Sequence, residues 1–93
     1  MIVTRINKFC AAPGKTDEVL EFLKSLIPYI LSSKGCLACE VLQHSGEKNH
    51  FVVLEKWESI EWHKKSIENF PKEKISAAMA LFAEAPEGDY YYG

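Results

Sequence analysis

No apolar run in this 93-residue chain approaches the ~20 residues that a bilayer-spanning helix needs, so no membrane partner is expected. The opening segment, Met1-Ile2-Val3-Thr4-Arg5-Ile6-Asn7-Lys8, lacks the basic-then-apolar order of an export signal, and the expected location is the cytoplasm. Basic charge is not in excess. Eleven Lys and Arg against thirteen Asp and Glu give a net charge of −2, which argues against a nucleic-acid-binding surface. There is no glycine-rich phosphate loop, no nucleophile elbow and no recognisable pair of spaced carboxylates.

Cysteine is also scarce. Three residues, Cys10, Cys36 and Cys39, are an odd number in a chain without an export signal, which speaks against a disulfide framework. Cys36-Leu37-Ala38-Cys39 has C-x-x-C spacing, but it follows Gly35 and opens an apolar run that reads as a strand. Strand residues three apart point to opposite faces, so the two thiols are expected to diverge. A zinc site would need two further ligands, and the three histidines offer no second pair at suitable spacing. No metal is expected, and the cysteines read as small buried hydrophobes.

What the chain does have is the balance of a folded globule, 47% hydrophobic and 26% charged. One domain spanning residues 1–93 is expected, near the size at which a single core becomes adequate. Ile2 to Ala11 alternates, with Ile2, Thr4 and Ile6 on one face and Val3, Arg5, Asn7 and Phe9 on the other, and Pro13-Gly14 ends this first strand. Thr16 is expected to cap a helix whose apolar face recurs at Val19, Phe22, Leu23, Leu26, Ile27, Ile30 and Leu31. Pro28 lies inside that pattern and is expected to kink the helix without ending it, with Gly35 as the left-handed stop. Cys36–Gln43 and His50–Trp57 then read as an antiparallel hairpin around a polar loop. Ser59 is the expected cap of a helix from Ile60 to about Asn69, Pro71 opens a second helical stretch, and Gly88–Tyr92 favours a last strand.

The order β-α-β-β-α-β is the ferredoxin-like arrangement, an α+β fold with a four-stranded antiparallel sheet. Its helices cover only one face of the sheet. Yet the strands carry apolar residues on both faces, since Phe51 and Val53 cannot share a face with Val52 and Leu54. A second copy packed sheet to sheet would bury the surplus, so a homodimer is expected.

Four stretches line up with one family. Ala12-Pro13-Gly14-Lys15 resembles the strand-"PGK"-helix opening of antibiotic biosynthesis monooxygenase (ABM) domains. Lys34-Gly35-Cys36-Leu37-Ala38-Cys39 resembles that family's "PGCLxY" entry into strand two, with lysine in place of proline and cysteine in place of tyrosine. Glu55-Lys56-Trp57 is similar to its "ExW", and Trp62-His63-Lys64-Lys65-Ser66 to its "xHxxS". The resemblance implies a dimeric α/β barrel with a pocket between sheet and helices. It also implies oxidation of a small phenolic or enolisable substrate by molecular oxygen, without flavin, metal or heme as cofactor. In the family pattern the histidine follows the tryptophan by nine residues; His63 follows Trp57 by six, and a deletion of nearly one helical turn keeps the face. The heme-degrading branch places a histidine later in the helix, and none follows His63 here.

The expected site is therefore catalytic His63 and Asn7, with Trp57, Trp62 and Ser66 contacting substrate. A neutral imidazole could orient a phenol or enol or accept its proton. The plainer alternative is a surface histidine beside Lys64 and Lys65. Asn7 is an amide inside an apolar strand, which must bond a ligand or face water. Trp57 could stack on a flat ligand, or simply pack at a strand end. Two other functions share this fold: isomerisation of a small hydroxy-ketone, and a non-catalytic dimeric barrel that binds an apolar ligand.

Overall fold

A computed structural model describes the whole chain, Met1 to Gly93. The elements are β1 (Val3–Cys10), α1 (Thr16–Ser32), β2 (Cys36–Gln43), β3 (His50–Trp57), α2 (Ile60–Glu68), α3 (Lys72–Met79) and β4 (Glu87–Tyr91). The four strands form one antiparallel sheet in the order β2-β3-β1-β4, the ferredoxin-like fold expected from the element order. No helix is long and apolar enough to cross a membrane.

Register fixes the two faces of the sheet. Val3 lies opposite Trp57, Arg5 opposite Glu55, Asn7 opposite Val53 and Phe9 opposite Phe51, so the odd-numbered residues of both strands point toward the helices. On β4, Tyr90 is opposite Arg5 and Gly88 is opposite Asn7, on that same face. The core gathers there: Ala11, Val19, Leu23, Phe51 and Val53 are buried together, with Phe9, Phe22, Leu26 and Phe82 packed against them. The other face carries Ile6, Val52 and Leu54 in the middle of the sheet and exposed Leu42 and Tyr91 nearer its edges.

Three local expectations need correction. Cys36 and Cys39 do not point to opposite faces. Cys36 pairs with Trp57, Ala38 with Lys56 and Cys39 with Glu55, because the register shifts between Cys36 and Ala38. That β-bulge absorbs Leu37 as the extra residue and returns Cys39 to the helix side. Burial, aided by the negative charge of Glu55, pushes the Cys39 thiol up to about 12, so it stays protonated. Thr16 does not cap α1 either; it is the first helical residue, and Lys15 stands at the cap without a side-chain bond. The end of α1 is not marked by Gly35, since the helix finishes at Ser32 and Ser33 caps it with an N–H to the Ile30 carbonyl. Gly35 instead takes a left-handed φ of 89° in the turn into β2, where a Cβ would run into the Trp62 ring.

Candidate active site

Between the sheet and the helices lies a cavity of about 350 Å³. Aromatic and aliphatic side chains form most of its wall, among them Phe9, Phe22, Leu26, Phe70, Met79 and Phe82. Polar groups converge at one end, where Asn7, Glu55, His63 and Ser66 line it. No lysine or arginine does. Tyr29 joins the helices around this space, donating its hydroxyl to the Ser66 carbonyl at 2.7 Å and meeting Phe70 edge to face at 5.0 Å.

Glu55 is the centre of the polar end. Strand parity puts it on the helix side between Val53 and Trp57, and it is 4% exposed. Its two oxygens take separate donors: Oε1 accepts the Trp57 indole N–H at 2.9 Å, and Oε2 accepts the Asn7 amide N–H at 3.0 Å. The Asn7 oxygen in turn accepts the Arg5 Nε–H at 2.9 Å. Only one orientation of the Asn7 amide serves a guanidinium on one side and a carboxylate on the other, so both partners fix it. Arg5 lies with its guanidinium carbon 4.7 Å from the centre of the Tyr90 ring.

These contacts oppose one another electrostatically. Burial raises the Glu55 carboxyl above its ordinary value, while the Trp57 N–H, the Arg5 charge and the Asn7 N–H pull it back down. The result is a buried acid held by three favourable contacts and poised above the usual carboxylate range.

His63 reaches the site from α2, which Ser59 starts by accepting the Trp62 N–H at 3.3 Å. The ring is 4% exposed, not on the surface beside Lys64 and Lys65. Its Nδ1 lies 2.6 Å from the Tyr90 hydroxyl, and its plane meets Trp57 edge-on at 5.4 Å. Burial, reinforced by the positive charges of Arg5 and Lys64, pushes the imidazole down to about 4, so it is neutral at pH 7. Its Nε2 is 3.9 Å from Glu55 Oε1. With a neutral ring at that distance, the two groups form neither an ion pair nor a direct hydrogen bond.

The remaining expected residues divide. Asn7 lines the cavity, though its amide is already held by Arg5 and Glu55. Ser66 lines it too, with its O–H donated back to the His63 carbonyl at 2.7 Å. Trp57 is not a wall of the cavity. It is wholly buried beneath the site, and its N–H is spent on Glu55. Trp62 lies outside as well, because α2 turns it away: it packs over Gly35, with Lys34 and Lys65 above its ring at 4.9 Å and 4.8 Å. Three residues that sequence reasoning did not place in the site shape its polar end: Glu55 lines it, while Arg5 and Tyr90 stand behind it and hold Asn7 and His63. Glu55 and Arg5 were detectable as charges at core-facing positions of alternating strands. Tyr90 stands in an aromatic run that could line a pocket mouth but reads first as sheet packing.

The family model for antibiotic biosynthesis monooxygenases matches residues 2–69. The chain belongs to this family. The fold of this ABM protein recurs in solved structures at low identity. A Pseudomonas aeruginosa protein is 22% identical with a TM-score of 0.88, the alignment covering 99% of this chain and 93% of that one. A conserved Methanosarcina mazei protein is 23% identical with a TM-score of 0.87, over 98% of this chain and 91% of that one. SnoaB from Streptomyces nogalater, a cofactor-independent oxygenase solved in a mutant form, is 17% identical with a TM-score of 0.83, over 99% of this chain and 92% of that one. No curated protein sequence matches the chain.

Proposed function

We propose that this ABM protein is a cofactor-independent monooxygenase acting on a small, uncharged, flat phenol or enolisable ketone. The observation that carries the reading is the cavity: apolar and aromatic over most of its wall, without a cation, and ending in Asn7, Glu55 and His63. A substrate carrying phosphate or carboxylate would find no counter-charge there, whereas a ring system with one polar corner matches the distribution of groups.

The chemistry asks little of the protein. Removing the O–H proton of a phenol, or of the enol form of such a ketone, gives an anion with carbanion character at the ring carbon that will be oxidised. That anion passes an electron to O2, and the two radicals combine to a hydroperoxide anion. Protonation and loss of water then leave a new carbonyl, so one oxygen atom is kept and the other leaves as water. The chain supplies a dry pocket, groups that move and hold the proton, and His63 and Asn7 to fix the polar corner. Proton transfer alone, without oxygen, would serve a hydroxy-ketone isomerase.

A second copy of the chain is the expected partner. Ile6, Val52, Leu54, Leu42 and Tyr91 share the helix-free face of the sheet, and sheet-to-sheet pairing would cover them.

The test is oxygen uptake with anthrone and related polycyclic phenols, followed by product analysis under 18O2. The expected result is one O2 consumed for each anthraquinone formed, with one labelled oxygen in the product. Binding without oxygen uptake across the series would instead support a ligand-binding barrel.

A further inference from the structure

The polar end of the cavity contains an acid and an imidazole, and the two are not interchangeable. We propose that Glu55 is the group that takes the substrate's proton, and that His63 donates its Nε2–H to the oxygen left negative. This assignment rests on the phenol or enol reading of the cavity and names the residue that performs its first step.

Geometry sets the roles. Each carboxylate oxygen can accept two hydrogen bonds. Oε1 of Glu55 uses one on Trp57 and Oε2 uses one on Asn7, which leaves a free acceptor site on each. Glu55 itself lines the cavity. The gap of 3.9 Å between Oε1 and His63 Nε2 is too long for a direct hydrogen bond. It is the right width for a third atom, since an oxygen at about 2.8 Å from each would bridge them. A substrate hydroxyl seated there donates to Glu55 and faces His63.

The imidazole tautomer follows from its neighbours. Tyr90 Oη is 2.6 Å from Nδ1, and a phenol O–H is an ordinary donor to a bare ring nitrogen. That arrangement leaves the ring proton on Nε2, on the side of the carboxylate. The reverse tautomer would set the lone pair of Nε2 against the Glu55 oxygen. A nitrogen that already carries a proton cannot accept another from the substrate, but it can stabilise the oxyanion.

In the step itself the O–H bond of the phenol or enol breaks and its electron pair stays on oxygen. The proton moves to Glu55, which becomes a neutral carboxylic acid still able to accept from Trp57 and Asn7. The charge moves from one oxygen to the other inside the same ring of donors, so little else need rearrange. Arg5, linked to the acid through Asn7, balances the charge in either state.

The titratable and charged groups around Glu55 are Arg5 on β1, Cys36 and Cys39 on β2, His63 on α2 and Tyr90 on β4. Both thiols are held protonated by burial, so in the acidic range the proton acceptors are Glu55 and His63. Burial acts on the two in opposite directions, pushing His63 down to about 4 and raising Glu55 from 4.5.

The probe is 2-naphthol, an uncharged bicyclic phenol that becomes a strong acid when excited and emits at a longer wavelength once its proton has moved. Excited beyond the tryptophan absorption, naphthol bound to the native protein at pH 7 is expected to emit as naphtholate. Glu55→Gln should bind it within a few-fold of the native affinity and emit mainly as neutral naphthol, an emission ratio at least about tenfold lower. His63→Asn, which removes the donor to the oxyanion but not the base, should weaken the naphtholate band by less than Glu55→Gln does. In the native protein the band should fade with falling pH at a midpoint above 4.5, which tests the assignment even if the Gln variant fails to fold. Loss of the band in His63→Asn with retention in Glu55→Gln, or a native band that does not fade in acid, would overturn the assignment of the base while leaving the cavity's function intact. Failure of the native protein to bind naphthol at all would overturn both.

Discussion

The hydroxyl of Tyr90 and Nδ1 of His63 sit 2.6 Å apart although 27 residues separate them in the chain. β4 brings the tyrosine to the sheet edge beside Arg5, and α2 lays the histidine over it. Replacing Tyr90 with Phe removes the only hydrogen-bond partner of a ring nitrogen in a residue that is 4% exposed. The expected cost is about 1–3 kcal/mol of folding stability, read by urea denaturation. Imidazole 15N shifts should also lose their single-tautomer pattern.

Stability should depend on His63 in a defined pH window. The unfolded imidazole titrates near 6.5, and burial lowers the folded value to about 4. Below 6.5 the unfolded chain gains a proton that the folded one resists, so this residue's contribution is intact above that pH and is lost as pH falls toward 4. Below the folded value the loss levels off at an amount on the order of 3 kcal/mol. Glu55 acts with the opposite sign: because its folded value is raised, it costs stability as pH rises above 4.5. Comparing denaturation midpoints from pH 7 to pH 4 for the native protein and His63→Asn isolates the histidine. An unchanged slope in the variant would refute the assignment.

Trp57→Phe keeps most of the buried ring but removes the N–H that Oε1 of Glu55 accepts at 2.9 Å. With one lowering contact gone, the Glu55 carboxyl should climb further above its usual range. A 13C titration of the carboxyl carbon reads this directly. Stability should fall by about 1–3 kcal/mol, since a buried acceptor loses its partner.

Gly88→Ala tests the chain from Arg5 to Glu55. A Cβ at this position would overlap the Arg5 guanidinium and the Asn7 side-chain oxygen, so both must move. We expect a stability loss of about 1–3 kcal/mol from overpacking, together with a shifted Glu55 titration. A variant matching the native protein in both measurements would mean that Asn7 does not hold the acid.

On the helix-free face, Leu54→Glu places a charge in the middle of the apolar surface opposite Ile6. Sedimentation should show a dimer for the native chain and a monomer with native-like circular dichroism for the variant. A native monomer under the same conditions would rule out sheet-to-sheet pairing.

Much of the fold was readable in the residues. His50–Trp57 appears as β3 with the bounds that its apolar run implies, and Ser59 caps α2 as its type suggests. Those signals are local, because period, turn chemistry and caps act over a few neighbouring residues. The misread faces of Cys36 and Cys39 came from the bulge at Leu37, which leaves no mark in the alternation until β3 is paired beside it. Trp57 and Trp62 fall in the stretches that resemble the family, and both are expected substrate contacts on that ground. Packing sends one beneath the site and the other to the far side of α2.

Local patterning was enough to specify the element order, the topology and the shared face of Arg5 and Asn7 on the first strand. Strand parity suffices for that, since successive side chains point to opposite faces. How those groups are held was decided by packing. Only the pairing of β1 with β3 and β4 sets Arg5, Asn7, Glu55 and Tyr90 side by side, and only the docking of α2 brings His63 within 3.9 Å of the acid. Burial then changes their chemistry, because removing water disfavours charge on both groups. The imidazole becomes neutral, and the carboxyl depends on its donors.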